Sequence, residues 1–234
     1  MKTTGLAFAL AVATASAALA QPGALAPAPA AATPVPDAYA AALLAAIAEQ
    51  DAATAPAALQ ANLARLSRVA AAAPAAWEAR YYQARACIKL GVAGKDGDAQ
   101  DQWFDQAQAA LDAGLKLPGA DRAELLVLQA YALQGRIMVA PMLRGAAYSG
   151  RVQEALNEAR VLSPGNPRVY LLLGNDLYFR PAVFGGGADK AKPLYEKALV
   201  LFDAYRPASP LSPAWGKGNA VSALARINAP VAAK

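Results

Sequence analysis

Apolar and small residues in this chain recur at the three-to-four-residue spacing of α-helices. Long stretches of Ala, Leu, Glu, Gln and Arg favour helix, and no run of alternating β-branched residues predicts a strand. Proline and glycine interrupt the pattern at regular intervals, and they predict breaks at Pro56, Pro74, 91–97, Pro118, Pro141, Gly150, Pro164 and 185–187. The sequence therefore predicts an all-α protein in which helix and loop alternate.

Several helix starts carry capping signals. Asp121 and Glu124 form the pattern of a capping box, and Asn166 stands directly before Pro167, a favoured first helical residue. Asp101 is the expected N-cap of the helix that follows the first glycine-bearing loop. These signals predict where three of the helices begin.

The helical segments form an internal repeat. Its first helix places a small residue at Ala84, Ala130 and Gly174, which recur every 44 to 46 residues. A small residue at this position lets two helices approach closely. The second helix repeats its own packing positions, at Gln106, Ala110 and Ala113, then Val152, Leu156 and Ala159, then Ala191, Tyr195 and Ala198.

This repeat resembles the tetratricopeptide (TPR) family over roughly residues 37–228. The resemblance implies a right-handed superhelix of about four antiparallel helix pairs, with a capping helix in Ser212–Asn228 that packs Trp215 onto the last pair. The usual TPR period is about 34 residues, so the extra residues are expected in long loops between paired helices. An unrelated array of α-hairpins with the same spacing is the alternative.

The first 36 residues predict export. Lys2 precedes an uncharged apolar run, and Ala18-Leu19-Ala20 fits a signal-peptide cleavage site after Ala20. The apolar run is shorter than the ~20 residues of a membrane span, which disfavours the alternative of a retained anchor. Residues 21–36 predict an Ala/Pro-rich linker before a helical domain at 37–234, in a periplasmic or secreted protein without stable membrane insertion.

Composition excludes several kinds of chemistry. The chain has no His and a single Cys, which removes Ser-His-Asp catalysis, His-ligated zinc or haem, and any disulfide within the chain. The helical spacing of Cys87 predicts burial. The formal charge of +5 is spread without any Lys/Arg run, so a nucleic-acid partner is not expected.

No residue set predicts catalysis or a resident metal. Ser149, Ser163 and Ser212 lack a neighbouring base, and the chain is not expected to be an enzyme or to carry a cofactor. A hydrolase that uses carboxylates alone stays an alternative. Asp96 and Asp98 with Asp101 could be read as a calcium site, but the spacing lacks the Gly and Glu of an EF-hand and favours a solvated turn.

The segment from Phe184 to Gly187 opens a helix, as a phosphate-binding loop does. No strand or Gly-Lys-Ser/Thr motif accompanies it, and Asp189 would repel an anion, which favours a structural loop pinned by Phe184. Periplasmic TPR proteins carry similar aromatic-plus-glycine insertions. The loop thus resembles, more distantly, the T-component of tripartite substrate-binding transport systems.

The TPR resemblance also implies which residues line the concave face of the superhelix. Cations and amides there suit a peptide carboxylate or backbone, and tyrosines add rigid contact area. The groove residues so predicted are Tyr81, Arg85, Lys89, Tyr131, Gln134, Arg168, Asn175 and Tyr178. The alternative is a solvated groove whose aromatics pack under loops.

The leading hypothesis is therefore a non-enzymatic exported scaffold that binds a protein or peptide segment in this groove, with homo-oligomerisation left open. The alternative is a periplasmic transport accessory, or a carrier that closes over a small apolar ligand.

Overall fold

The computed structural model describes residues 37–229, so the predicted signal peptide and linker lie outside the described residues. Within this range the chain forms no strand, and the predicted all-α class is confirmed. The helices are α1 (Asp37–Ala52), α2 (Pro56–Ala72), α3 (Trp77–Ala93), α4 (Gly97–Leu115), α5 (Arg122–Val139), α6 (Pro141–Leu162), α7 (Pro167–Phe179), α8 (Ala188–Ala204) and α9 (Lys217–Asn228).

Helices that follow each other pack as four pairs, α1/α2, α3/α4, α5/α6 and α7/α8, and α9 packs on α8. The small residues of the repeat, Ala84, Ala130 and Gly174, are all buried. A Cβ added at Gly174 would lie 2.7 Å from the Tyr195 ring, so the close approach of α7 and α8 requires the missing side chain. The predicted pairing is confirmed, and the superhelix with its right-handed sense stays a prediction.

The prediction of long loops between paired helices is wrong for two pairs. Three residues join α3 to α4, and Ala140 alone joins α5 to α6. The extra residues of the repeat lengthen the helices instead, to 19 residues in α4 and 22 in α6. Gly150 does not break α6, because a single glycine within a helix costs only about 1 kcal/mol.

The predicted helix starts are correct at two of three sites. The Asp121 carboxylate accepts the Glu124 backbone N–H at 3.0 Å, and the Asn166 side-chain oxygen accepts that of Arg168 at 3.0 Å. The prediction of Asp101 as an N-cap is wrong, because Asp96 caps α4 at 2.8 Å from the Ala99 N–H. Asp101 lies inside α4, one turn further along.

The predicted packing register fails in α4 and holds in α6 and α8. Gln106 is exposed, whereas Phe104, Ala107 and Leu111 are buried. The reason is Phe104, whose ring fills the space left by two glycines of neighbouring helices. A Cβ at Gly91 would lie 2.7 Å from this ring, and one at Gly135 would collide with it.

The N-terminal ends of α3, α5 and α7 meet at a buried polar cluster, which consists of Tyr81, Glu124, Asn166 and Arg168. Arg168 donates to both Glu124 carboxylate oxygens, with its Nε 3.0 Å from each. Tyr81 and Asn166 donate to the same carboxylate, at 3.2 and 2.7 Å. Since these helices share one end, their C-terminal ends and the turns after them share the opposite edge, called here the turn edge.

A non-helical segment, residues 205–216, runs back across the first helices and is called here the strap. The Trp215 indole N–H donates to the Tyr81 hydroxyl at 2.7 Å, and the Tyr82 hydroxyl donates to the Leu211 carbonyl at 3.1 Å. Trp215 thus reaches α3, well beyond the last pair to which it was assigned. At Gly216 φ is +114°, a left-handed value that favours glycine, so α9 begins five residues later than predicted.

Candidate ligand-binding cavity

Two of the predicted groove residues belong to the buried polar cluster. The Arg168 side chain is fully buried in an ion pair with Glu124, with Nη2 2.5 Å from Oε1. Tyr81 is equally buried, and burial, followed by the Glu124 charge, raises the pKa of its hydroxyl well above the ordinary value. Both side chains already have partners within the chain.

Two further predicted residues of α3 contact the end of α1. Arg85 donates to the Gln50 side-chain oxygen at 2.6 Å and pairs with Asp51 at 2.7 Å. Lys89 donates to the backbone carbonyls of Gln50 and Ala53, at 2.6 and 3.0 Å. Burial, then the nearby Arg85 charge, lowers the pKa of Lys89. Lys89 thus satisfies carbonyls that the C-terminal end of α1 leaves without helical partners, and Arg85 binds side chains there.

The other four predicted residues also contact side chains or backbone of this chain. Tyr131 stacks on Trp215 with ring centroids 5.9 Å apart, Gln134 donates to the Leu172 carbonyl at 2.8 Å, Asn175 accepts from the Tyr195 hydroxyl at 2.9 Å, and the Tyr178 ring lies 5.5 Å from the Arg226 guanidinium.

The structure brings three of the eight residues together around Trp215 of the strap. Its indole stacks on Tyr131, receives the Arg85 guanidinium 5.4 Å from its ring centroid, and bonds Tyr81. The strap therefore covers this part of the first-helix face. A role of the eight residues in binding a partner stays a prediction.

A cavity of about 430 Å³ opens instead at the turn edge, between the C-terminal halves of α3 and α5 and the start of α4. Its volume lies within the range of small-molecule sites. Its lining residues are Val92, Gly94, Lys95, Gln100, Gly135, Met138 and Val139. None of these was predicted as a site residue.

Glycines shape this cavity. Gly135 lies in its wall, and the Phe104 ring takes the space that a side chain at this position would need. Gln100 donates its amide to the Gly91 carbonyl at 2.8 Å, so this donor is satisfied within the wall. The α3–α4 turn lies against the end of α5, with a Cβ position at Gly97 3.3 Å from a Val139 methyl carbon.

Apolar side chains are exposed in the wall of the cavity and in the neighbouring α5–α6 turn. Met138, on its wall, is 52% exposed, and Met142 and Leu143 follow at the start of α6 with exposures of 89% and 84%. The chain has three methionines, so both methionines beyond Met1 lie at this turn. Thioether side chains are flexible and polarisable, which suits contact with a ligand of variable shape.

Lys95 supplies the cation of the cavity. It lies in the three-residue loop between α3 and α4 and is exposed. It forms no ion pair with any residue of the described range 37–229. The wall thus combines apolar side chains with one unpaired cation and other polar groups, which suits an amphipathic ligand that carries an anionic group.

Ion pairs hold the α5–α6 turn to α4 beside the cavity. Arg144 donates to both Asp101 carboxylate oxygens, at 2.7 and 2.6 Å. Arg136 donates to Asp105 at 2.5 Å. Hydrogen bonding from Arg144 lowers the pKa of Asp101, although burial acts in the opposite direction.

The α7–α8 turn adds further apolar side chains to the turn edge. Phe184 is 67% exposed, so the prediction that it pins this loop to its helix pair is wrong. Backbone hydrogen bonds close the turn instead, from Gly187 N–H to the Leu177 carbonyl at 2.8 Å and from Gly186 N–H to the Pro181 carbonyl at 3.2 Å. Phe179 and Val183 beside it are also exposed.

A second, more open cleft of about 610 Å³ lies between α1 and α2. Half of its lining residues are alanine, and Arg65 in it pairs with Glu49. Asn62, also in the lining, donates to the Ala46 carbonyl at 2.7 Å. Since this cleft encloses a ligand less than the turn-edge cavity does, it is the weaker candidate.

Neither a metal cluster nor a membrane-spanning helix is found in the described part of the chain. Between residues 37 and 229, no three His, Cys, Asp or Glu side chains lie close enough to hold a metal ion. No helix of this range is long and apolar enough to cross a membrane.

Comparison with known proteins finds similarity among solved structures. No family model and no curated protein matches the chain, so the TPR resemblance stays a prediction. Among solved structures, the chain is similar to the HusA haemophore from Porphyromonas gingivalis, with 28% sequence identity and a TM-score of 0.74. The match covers 85% of this chain and 98% of the haemophore chain.

Proposed function

We propose that this protein is an exported, non-enzymatic carrier of haem or a closely related tetrapyrrole, bound at the turn-edge cavity. The observation that carries the proposal is the likeness to the HusA haemophore, which extends over 98% of that chain. It favours the carrier hypothesis over the binding of a peptide in the groove. Export rests on the predicted signal peptide at residues 1–20.

The cavity combines apolar and polar groups, as a ligand with an apolar body and charged edges needs. A tetrapyrrole is a flat apolar plate with carboxylates on one side. Val92, Met138 and Val139 supply apolar wall, and Met142 and Leu143 extend it beyond the mouth. Burying such surface is the main source of affinity in small-molecule sites, and Lys95 is placed to meet a carboxylate.

The donor set of the chain argues against strong iron ligation. The sequence holds no His. Cys87 is buried, and burial raises the pKa of its thiol to about 12, so the thiolate that would bind a metal is scarce. Tyrosine also binds haem iron, but no Tyr lines the cavity, and the thioether donor on its wall is Met138. We therefore assign most of the affinity to apolar contact with the tetrapyrrole plate.

A haemin titration of the purified protein tests the proposal. Binding is followed by the Soret band of haemin and by quenching of tryptophan fluorescence. The test variant is Met138→Lys, which places a charge on the apolar wall. We expect the parent protein to bind haemin at one site and the variant to bind at least about tenfold more weakly, because a charged group resists desolvation.

The matched control is Val161→Lys. Val161 is 80% exposed near the far end of α6, about 30 Å from the turn edge along the helix. It adds the same charge and is expected to leave haemin affinity unchanged. Absence of haemin binding by the parent protein would contradict the function, and equal affinity in Met138→Lys would contradict the site.

A further inference from the structure

The α5–α6 turn carries the methionines of the proposed site, yet little of its own structure fixes it. Ala140 alone joins the two helices, and no side chain caps the start of α6. Met138 and Val139 lie before this residue, and Met142 and Leu143 lie after it. Whatever holds the turn against α4 also sets the width of the cavity.

Arg144 makes the first connection. Its Nη1 and Nη2 lie 2.7 and 2.6 Å from Oδ1 and Oδ2 of Asp101, the paired geometry that fixes orientation as well as distance. The same Nη1 lies 3.4 Å from the backbone carbonyl of Arg136, in the last turn of α5. One guanidinium thus contacts α4, α5 and its own helix α6.

Arg136 makes the second connection to the same carboxylate. Its Nη1 lies 3.6 Å from Asp101 Oδ1, and its Nη2 lies 2.5 Å from Asp105 Oδ1. Its guanidinium also lies 5.9 Å from the Phe104 ring centroid, beneath the cavity. Asp101 is therefore the residue at which both arginines of the turn meet α4.

We propose that Asp101 is a positioning residue for the ligand. It holds the methionine-bearing α5–α6 turn at the distance from α4 that a flat apolar ligand requires. The inference rests on the proposed function for the identity of the ligand. Asp101 does not line the cavity, so it acts on the ligand through Arg136 and Arg144.

The ion pairs of Asp101 with Arg136 and Arg144 are called here the clamp. They are expected to persist in the folded protein from neutral to mildly acidic pH. The charged groups around Asp101 are Arg144 from α6, Arg136 from α5, and Asp98 and Asp105 on its own helix. The two arginines outweigh the acids in proximity and keep the Asp101 carboxylate ionised. Haemin affinity should accordingly not change through protonation of this group above about pH 5.

The test is a double-mutant cycle in the purified full protein, with haemin as the probe. Asp101→Asn and Arg144→Gln are each expected to weaken haemin binding about fivefold, the effect of losing one partly exposed pair. The double variant should bind about as weakly as Asp101→Asn alone, because Arg144 acts through the Asp101 carboxylate. Arg144→Lys keeps the charge without the fork and should recover part of the affinity.

Arg122→Gln is the matched control. The Arg122–Glu158 pair, at 2.7 Å, also joins α5 to α6, but at the other end of both helices. Its loss should leave haemin affinity unchanged. Wild-type affinity in Asp101→Asn, additive losses in the double variant, or an equal loss in Arg122→Gln would overturn the positioning role.

Amide hydrogen exchange separates this inference from the proposed function. In Asp101→Asn without ligand, exchange at the hydrogen-bonded amides of Ala140, Leu143 and Arg144 should accelerate about fivefold, and Arg122→Gln should not change it. Unchanged exchange in Asp101→Asn overturns the clamp even if the parent protein binds no haemin. Accelerated exchange without haemin binding supports the clamp and rejects the ligand.

Discussion

The two ends of α3, α5 and α7 differ sharply in how they treat polar and apolar groups. At the N-terminal ends, a carboxylate, a guanidinium, an amide and a hydroxyl are buried together and bonded to each other. At the C-terminal ends and in the turns after them, methionine, leucine and phenylalanine side chains are exposed, and a cavity opens between α3, α4 and α5. Each end therefore contains the groups usually found in the other environment.

The difference indicates how one repeated helix pair serves two purposes. Burying an ion pair seldom stabilises a protein more than apolar packing would, but its geometry admits few alternatives. Glu124 and Arg168 thus favour one alignment of α5 and α7, and the strap covers part of the face beside them. With the helices aligned at this end, the opposite edge can leave apolar surface open for a ligand.

The largest expected effect comes from disrupting the buried polar cluster. Glu124→Ala leaves the fully buried Arg168 guanidinium without its carboxylate, which should cost about 3–5 kcal/mol of unfolding free energy. Urea unfolding followed by far-ultraviolet circular dichroism measures this loss. Arg122→Ala removes an ion pair whose side chains are about half exposed and should cost less than about 1 kcal/mol. Similar losses for the two variants would show that the buried cluster is not special.

An intermediate effect is expected from filling the space below the cavity. In Gly135→Ala the new methyl group collides with the Phe104 ring, and overpacking should cost about 1–3 kcal/mol and weaken haemin binding. Gly150→Ala is the control, because no atom lies within 4 Å of a Cβ there and α6 gains a better helix former. That variant should be up to about 1 kcal/mol more stable in urea unfolding. A destabilised Gly150→Ala would contradict the packing at this exposed face.

The smallest expected effect is a difference in side-chain reactivity, which chemical labelling of the native protein measures. With a pKa of about 12, Cys87 should be thiolate in only about one molecule in ten thousand at pH 8 and resist alkylation. Met142, 89% exposed, should be oxidised by dilute peroxide at the rate of an unprotected methionine. Mass spectrometry after timed exposure measures both. Rapid alkylation of Cys87 would contradict its burial in the core, and slow oxidation of Met142 would contradict its exposure at the turn edge.

Much of the fold could be predicted because helix pairing depends on local spacing. The small residues Ala84, Ala130 and Gly174 mark close helix contacts, and Asp121 and Asn166 mark helix starts. The predicted packing register of α4 was wrong because the Phe104 ring packs between glycines of α3 and α5. The predicted loop lengths were wrong because the period of a repeat gives the number of residues per unit. It does not say whether the additional residues extend a helix or a loop.

The site was harder to predict, for reasons of distance along the chain. The groove residues lie on the first helices as expected, but Trp215 reaches Tyr81 across 134 residues, which no repeat pattern records. The cavity arises where Gly135 meets Phe104, a contact between separate units. One local signal was present, since Met138, Met142 and Leu143 are apolar residues beside the break at Pro141.

The strap has a consequence for how the chain assembles. A helical array can ordinarily add one unit after another, since each unit contacts only its neighbours. Here the hydrogen bond from Tyr82 to Leu211 spans 129 residues, so the second pair is complete only when the last segment arrives. Such distant contacts slow folding and link early units to late ones. The helix pairs follow one another along the chain, but the strap connects the last segment to the second pair. The protein should therefore unfold cooperatively instead of fraying from one end.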